Sequence, residues 1–140
     1  MLELAKENII KEGIWSSVDL ILGDAHKLPL KRESIGLIVS TETLHHIRKP
    51  YELSRGCMRV LKDRHEAWIY EFSHDINVQE AMEFIRKSKM PPLPLKLASL
   101  MHGIPRREFK LGYIRKCLEL AKCNYEVKYY GFLTKLIICK

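Results

Sequence analysis

The 140 residues contain no uninterrupted apolar stretch approaching the ~18 that a membrane-spanning helix requires. No basic segment followed by an apolar stretch opens the chain, so the expectation is a cytoplasmic protein without a leader or membrane span. Low-complexity tracts and internal repeats are missing as well. The four cysteines, Cys57, Cys117, Cys123 and Cys139, show neither CxxC spacing nor a matched histidine pair, which argues against zinc ribbons and dithiol redox motifs. No metal ligand set is expected. Only seven glycines occur, none of them forming a phosphate-binding loop, and no Ser/His/Asp arrangement is legible.

What is present describes one ordinary globular domain. Apolar residues make up 46% and charged residues 29%, a balance that excludes disordered and fibrous classes. Charge is unevenly distributed. Residues 1–85 hold 11 Lys/Arg against 14 Asp/Glu, whereas residues 86–140 hold 13 against 3. The basic half could steer an anionic partner such as RNA, a phosphorylated metabolite or an acidic membrane surface. The lysines are scattered along elements, which favours plain solvated surface.

Helix and strand signals alternate. Leu2, Ala5 and Ile9 share a helical face before Gly13, predicting a helix over 1–12. Short apolar stretches at 18–22 and 35–39, each ending in small polar residues, predict buried strands. Pro50 followed by the stripe Leu53, Cys57, Val60 and Leu61 predicts a helix near 50–61, and 67–72 a third strand. Beyond it, Val78 to Ile85 reads as a helix interrupted by Met90-Pro-Pro-Leu-Pro94, ahead of an apolar lid-like stretch at 95–101. A helix over 109–121 and a hairpin of 125–130 with 133–139 around Gly131-Phe132 complete the pattern. Strands separated by helices imply a parallel sheet with right-handed crossovers, closed by an antiparallel pair.

In such a sheet ligands gather outside the carboxyl ends of the strands, so Gly23-Asp24-Ala25, Ser40-Thr41 and Glu71-Phe72 should converge on one rim. There Asp24 could accept from an exocyclic amine while the next backbone N–H groups donate to a ring nitrogen; a helix-capping Asp24 is the competing reading. His45-His46 follows the second strand, where one of the pair could act as a base or hold a substrate, the alternative being a structural or capping role. His26, His65, His74 and His102 show no ligand spacing.

The segments GDAHKLP, VSTETLHHI and RVLK, in this order and at these intervals, resemble the class I S-adenosylmethionine-dependent methyltransferases, in the group containing the ubiquinone and menaquinone methyltransferases. The resemblance covers about 1–72, and the closing YEVKYYGFLTKLIICK is similar to the family's C-terminal strand pair. It implies an α/β, truncated Rossmann-like single domain with helices on both faces. Residues 1–72 would form the cofactor side, 73–108 a variable substrate-facing lid, and 109–140 the last helix and strand pair. It further implies S-adenosyl-L-methionine as cofactor and a small-molecule methyl acceptor. Asp24 and Ala25 become the adenine contacts, Ser40 and Thr41 the rim beside the methionine moiety, and His46 the family's recurrent histidine and candidate catalytic residue.

The departures from the family are specific. Its first strand, GxGxG-type loop and acidic ribose-binding strand end have no counterpart in these residues. Gly36 stands where the family has Asp, and Asp63-Arg64-His65-Glu66 replaces its Pro-Gly-Gly turn. In the family strand order 3-2-1-4-5-7-6, the segments at 18–22 and 35–39 would flank a gap. The expectation is that the chain closes it, recruits a second copy, or pairs with a complementing N-terminal fragment. A non-catalytic binding or regulatory subunit, using the basic half toward an anionic partner such as RNA, is the alternative to a methyltransferase.

Overall fold

A computed structural model describes residues 2–140, so the helix expected over 1–12 is seen from its second residue onward. Its element order is α1 (Leu2–Lys11), β1 (Ile35–Thr41), α2 (Pro50–Val60), β2 (Leu61–Phe72), α3 (Val78–Ser88), α4 (Pro92–His102), α5 (Arg106–Lys110), α6 (Tyr113–Leu120), β3 (Asn124–Tyr130) and β4 (Leu133–Cys139). Short 3-10 turns lie at Trp15–Ser17 and Leu44–His46.

The four strands form one sheet in the order β1-β2-β4-β3. β1 runs parallel to β2, with Ile38 opposite Ala67 and Ser40 opposite Ile69. β4 is antiparallel to both β2 and β3. The order coincides with the 4-5-7-6 portion that the resemblance implies, including the reversed C-terminal pair. The alternating pattern implies several parallel crossovers; among the described residues one is present, through α2, and the hairpin β3–β4 closes the sheet as expected.

The core occupies the sheet face of Ala67, Ile69, Leu136 and Ile138, where Cys57 from α2 and Ile114 and Leu118 from α6 meet it. Leu61, Leu118 and Ile138 are essentially fully buried, each contributing about 1.5–3 kcal/mol of transfer free energy. Pro50 supplies a preset φ at the first turn of α2, after which the stripe ending at Val60 turns inward. On the other sheet face Leu37 and Val39 stay half exposed, and Lys135 Nζ lies 3.6 Å from the Trp68 ring centroid.

Three expectations change. The segment at 18–22 forms no strand and Leu22 is strongly exposed, because no neighbouring strand offers it a ladder among the described residues. An apolar stretch without a partner leaves its backbone groups to water. The third strand begins at Leu61 instead of 67. Lys140 extends it by donating Nζ to the Leu61 carbonyl at 2.8 Å, while Arg64 N donates to the Lys140 carbonyl at 3.0 Å. The helix expected over 109–121 divides into α5 and α6, since Gly112 adopts extended backbone between them.

The proline-rich stretch ends α3 and starts α4. Lys89 closes α3 in the left-handed conformation, and Pro92 and Pro94 fall in the first turn of α4, where their missing N–H groups cost no intrahelical bond. Gly131 turns the hairpin at φ +54°, with its α-hydrogen directed at Phe84, where a Cβ would lie 2.4 Å from the Phe84 Cβ.

Candidate functional site

The parallel register sets the ends of β1 and β2 side by side, with Thr41 opposite Tyr70. Ser40 and Thr41 therefore stand on the strand-end rim as expected, next to the Glu71 segment. The chain then leaves the sheet through Glu42, a non-glycine residue at φ +51°, whose N–H donates to the Tyr70 carbonyl at 2.8 Å. A left-handed glutamate carries about 1–2 kcal/mol of strain. Such strain concentrates at sites where the following residues must be aimed.

Those following residues converge on Glu71. Its side chain is buried, and its Oε1 accepts from Thr43 N at 2.7 Å and from Leu44 N. Oε2 accepts from His45 Nδ1 at 2.7 Å. A carboxylate only accepts, so Nδ1 carries a proton, and in the neutral ring Nε2 presents its lone pair. Nε2 is buried and has no hydrogen-bond partner. Leu44 anchors the turn in the core, which fixes His45 over Glu71 while His46 remains exposed.

Both Glu42 carboxylate oxygens are likewise buried without partners. Burial first, and then the neighbouring Glu71 carboxylate, push the Glu42 carboxyl up to about 7.

Asp24 and Ala25 lie in an isolated turn closed by the Asp24–Lys27 bridge. Asp24 caps no helix there. Its Oδ1 accepts from His26 N at 2.9 Å and lies 2.7 Å from His26 Nδ1. The contact with His26 draws the exposed Asp24 carboxyl below its ordinary range. Oδ2 takes no part in either contact. Beside Asp24 and Ala25 opens a cleft of about 240 Å³ walled by Ile21, Leu28, Pro29 and Leu30.

The structure thus brings Ser40, Thr41 and Glu71 to one rim, adds Glu42 and His45 to it, and gives Asp24 and Ala25 a cleft walled by their own segment. Sequence reasoning placed Glu71 on the rim without its role as an anchor. The available signal was a glutamate in the otherwise apolar end of a strand. His102, from the end of α4, comes beside His45 and His46, with ring centroids 5.3 and 6.3 Å away. No local spacing could announce it, since 56 residues separate it from His46.

Residues 1–67 match the model of a methyltransferase domain. Among solved structures, the chain is similar to a protein proposed to be an S-adenosyl-L-methionine-dependent methyltransferase from Methanococcus maripaludis. That match has 21% identity and a TM-score of 0.72, over 99% of this chain and 61% of the other. A SAM-dependent methyltransferase from Aquifex aeolicus matches at 19% identity and TM-score 0.65, over 97% and 61%. Geranyl diphosphate methyltransferase in complex with SAM matches at 9% identity and TM-score 0.56, over 97% and 62%. The chain spans about three fifths of the length of each. Curated proteins yield no match.

Proposed function

From a chain that has the fold of the class I S-adenosylmethionine-dependent methyltransferases, and whose first 67 residues match a methyltransferase domain, we propose the adenine-binding and acceptor-side portion of a small-molecule methyltransferase. The observation that carries this reading is the cleft at Asp24 and Ala25. Apolar walls suit a flat heterocycle, and the uncommitted Asp24 Oδ2 suits its exocyclic amine. Ser40 and Thr41 would border the methionine end, and His46, exposed on the same strand-end side, would contact the acceptor. When bound, the sulfonium supplies the methyl electrophile. The chain's own residues orient the acceptor and exclude water, and alignment of this kind accounts for much of the rate in a direct transfer.

No glycine-rich loop occurs in these residues, so the backbone approach that usually cradles the methionine and ribose portion has no counterpart here. Binding through the adenine end alone is weak. Calorimetry with S-adenosylhomocysteine should register millimolar to high-micromolar binding that Asp24→Ala removes. Absence of heat at millimolar ligand would sink the proposal for this chain.

A further inference from the structure

We propose that His45, His46 and His102 form a three-imidazole site for one divalent transition-metal ion of the zinc class. One ring nitrogen from each of the three lies within 4.8 Å of the other two. The His45 and His46 rings are only 3.9 Å apart between centroids. His45 and His46 come from the turn after β1 and His102 from the last residue of α4, so tertiary packing alone assembles the group.

Two further observations point to a cation. The first is the unpartnered Nε2 of His45, a buried nitrogen that in the neutral ring offers its lone pair to an incoming ligand. The second is the brace behind it. His45 Nδ1 donates to Glu71, whose other oxygen is pinned by the Thr43 and Leu44 N–H groups. A histidine whose far nitrogen donates to a fixed carboxylate is the usual support of a metal-ligating imidazole, because it sets the tautomer and raises basicity.

Imidazole donors select zinc, copper, nickel or iron over magnesium and calcium. With metal–nitrogen bonds of about 2.0–2.1 Å, tetrahedral ligation needs nitrogens roughly 3.4 Å apart. The approach needed is within rotamer freedom for His46 and His102, both exposed. Three protein ligands leave a coordination position free, the pattern of sites that take an exogenous oxygen or sulfur donor. This site stands on its own residues and does not depend on the methyl-transfer reading.

The test is titration of chelator-treated full chain with Co2+ followed by visible absorption, and with Zn2+ by calorimetry. The expected result is one equivalent bound without a thiolate charge-transfer band. His46→Ala and His102→Ala should each weaken binding at least about tenfold, while His65→Ala leaves it unchanged. Both substituted histidines are exposed, so folding persists and is checked by circular dichroism. Three results would overturn the proposal: no uptake of either metal, undiminished uptake in both variants, or a cysteine charge-transfer band. Loss on Glu42→Gln with full binding in His102→Ala would also overturn it, by assigning the metal to Glu42, His45 and Glu71, whose ligand atoms also lie within 4.8 Å of one another.

Discussion

Glu71 Oε2 lies 2.7 Å from His45 Nδ1 across 26 residues of sequence, while Oε1 of the same carboxylate accepts two backbone N–H groups of the turn that carries His45. One buried side chain thereby ties the end of β2 to the loop after β1. Replacing Glu71 with alanine orphans three donors together. Unsatisfied buried groups cost about 1–3 kcal/mol each, and partial access of water to Thr43 brings the expected loss to about 3 kcal/mol. Glu71→Gln retains an oxygen for the two N–H groups and should lose less. Urea unfolding of the two variants decides this; equal losses would contradict the assigned roles.

The outer edge of β1 is unpaired among the described residues, and Leu37 and Val39 beside it are 47% and 56% exposed. A free strand edge with apolar neighbours invites association. Light scattering should show mass increasing with concentration, and Val39→Lys should suppress that increase with little change in melting temperature. A monomer at every concentration would remove the edge as an associating surface.

An irregular position within β2 and a turn position should respond in opposite directions. Arg64 holds φ +64°, so Arg64→Gly should stabilise the fold by up to about 1 kcal/mol, the strain relieved less the entropy added to the unfolded chain. Gly131 holds φ +54° against Phe84, so Gly131→Ala adds both backbone strain and overlap, for a loss of about 2 kcal/mol or more. Thermal melts of both variants test the pair.

Alkaline stability should depend on Cys57. Burial pushes its thiol up to about 12 from an ordinary 9.0. Below pH 9 the thiol is protonated in both folded and unfolded chains and has no effect on the slope. Between about 9 and 12 the unfolded chain releases this proton while the folded chain keeps it, so stability falls as pH rises. The slope is at most about 1.4 kcal/mol per pH unit for one thiol. Cys57→Ala lowers stability at neutral pH by leaving a cavity, yet should flatten the decline measured by urea unfolding from pH 8 to 10. An unchanged slope would refute the assignment.

Local signals sufficed for much of this fold. The proline-started stripe of α2 and the two-residue hairpin at Gly131-Phe132 depend on interactions within a few residues, so they were legible in order. The parallel β1–β2 pairing followed from the helix between them. The same signals misread 18–22, because an apolar stretch becomes a strand only when another strand completes its hydrogen bonds. They also missed the division of α5 from α6, which depends on the backbone at one glycine.

Sequence by itself determined the rim: Ser40, Thr41 and Glu71 end adjacent strands, and strand ends are set by local pattern. Only the tertiary structure decided which histidines gather there. His45 turns to Glu71 because Leu44 is drawn into the core, and His102 arrives because α4 packs its end over that turn. Contacts across 26 and 56 residues come from packing a whole chain, and no periodicity in the sequence encodes them.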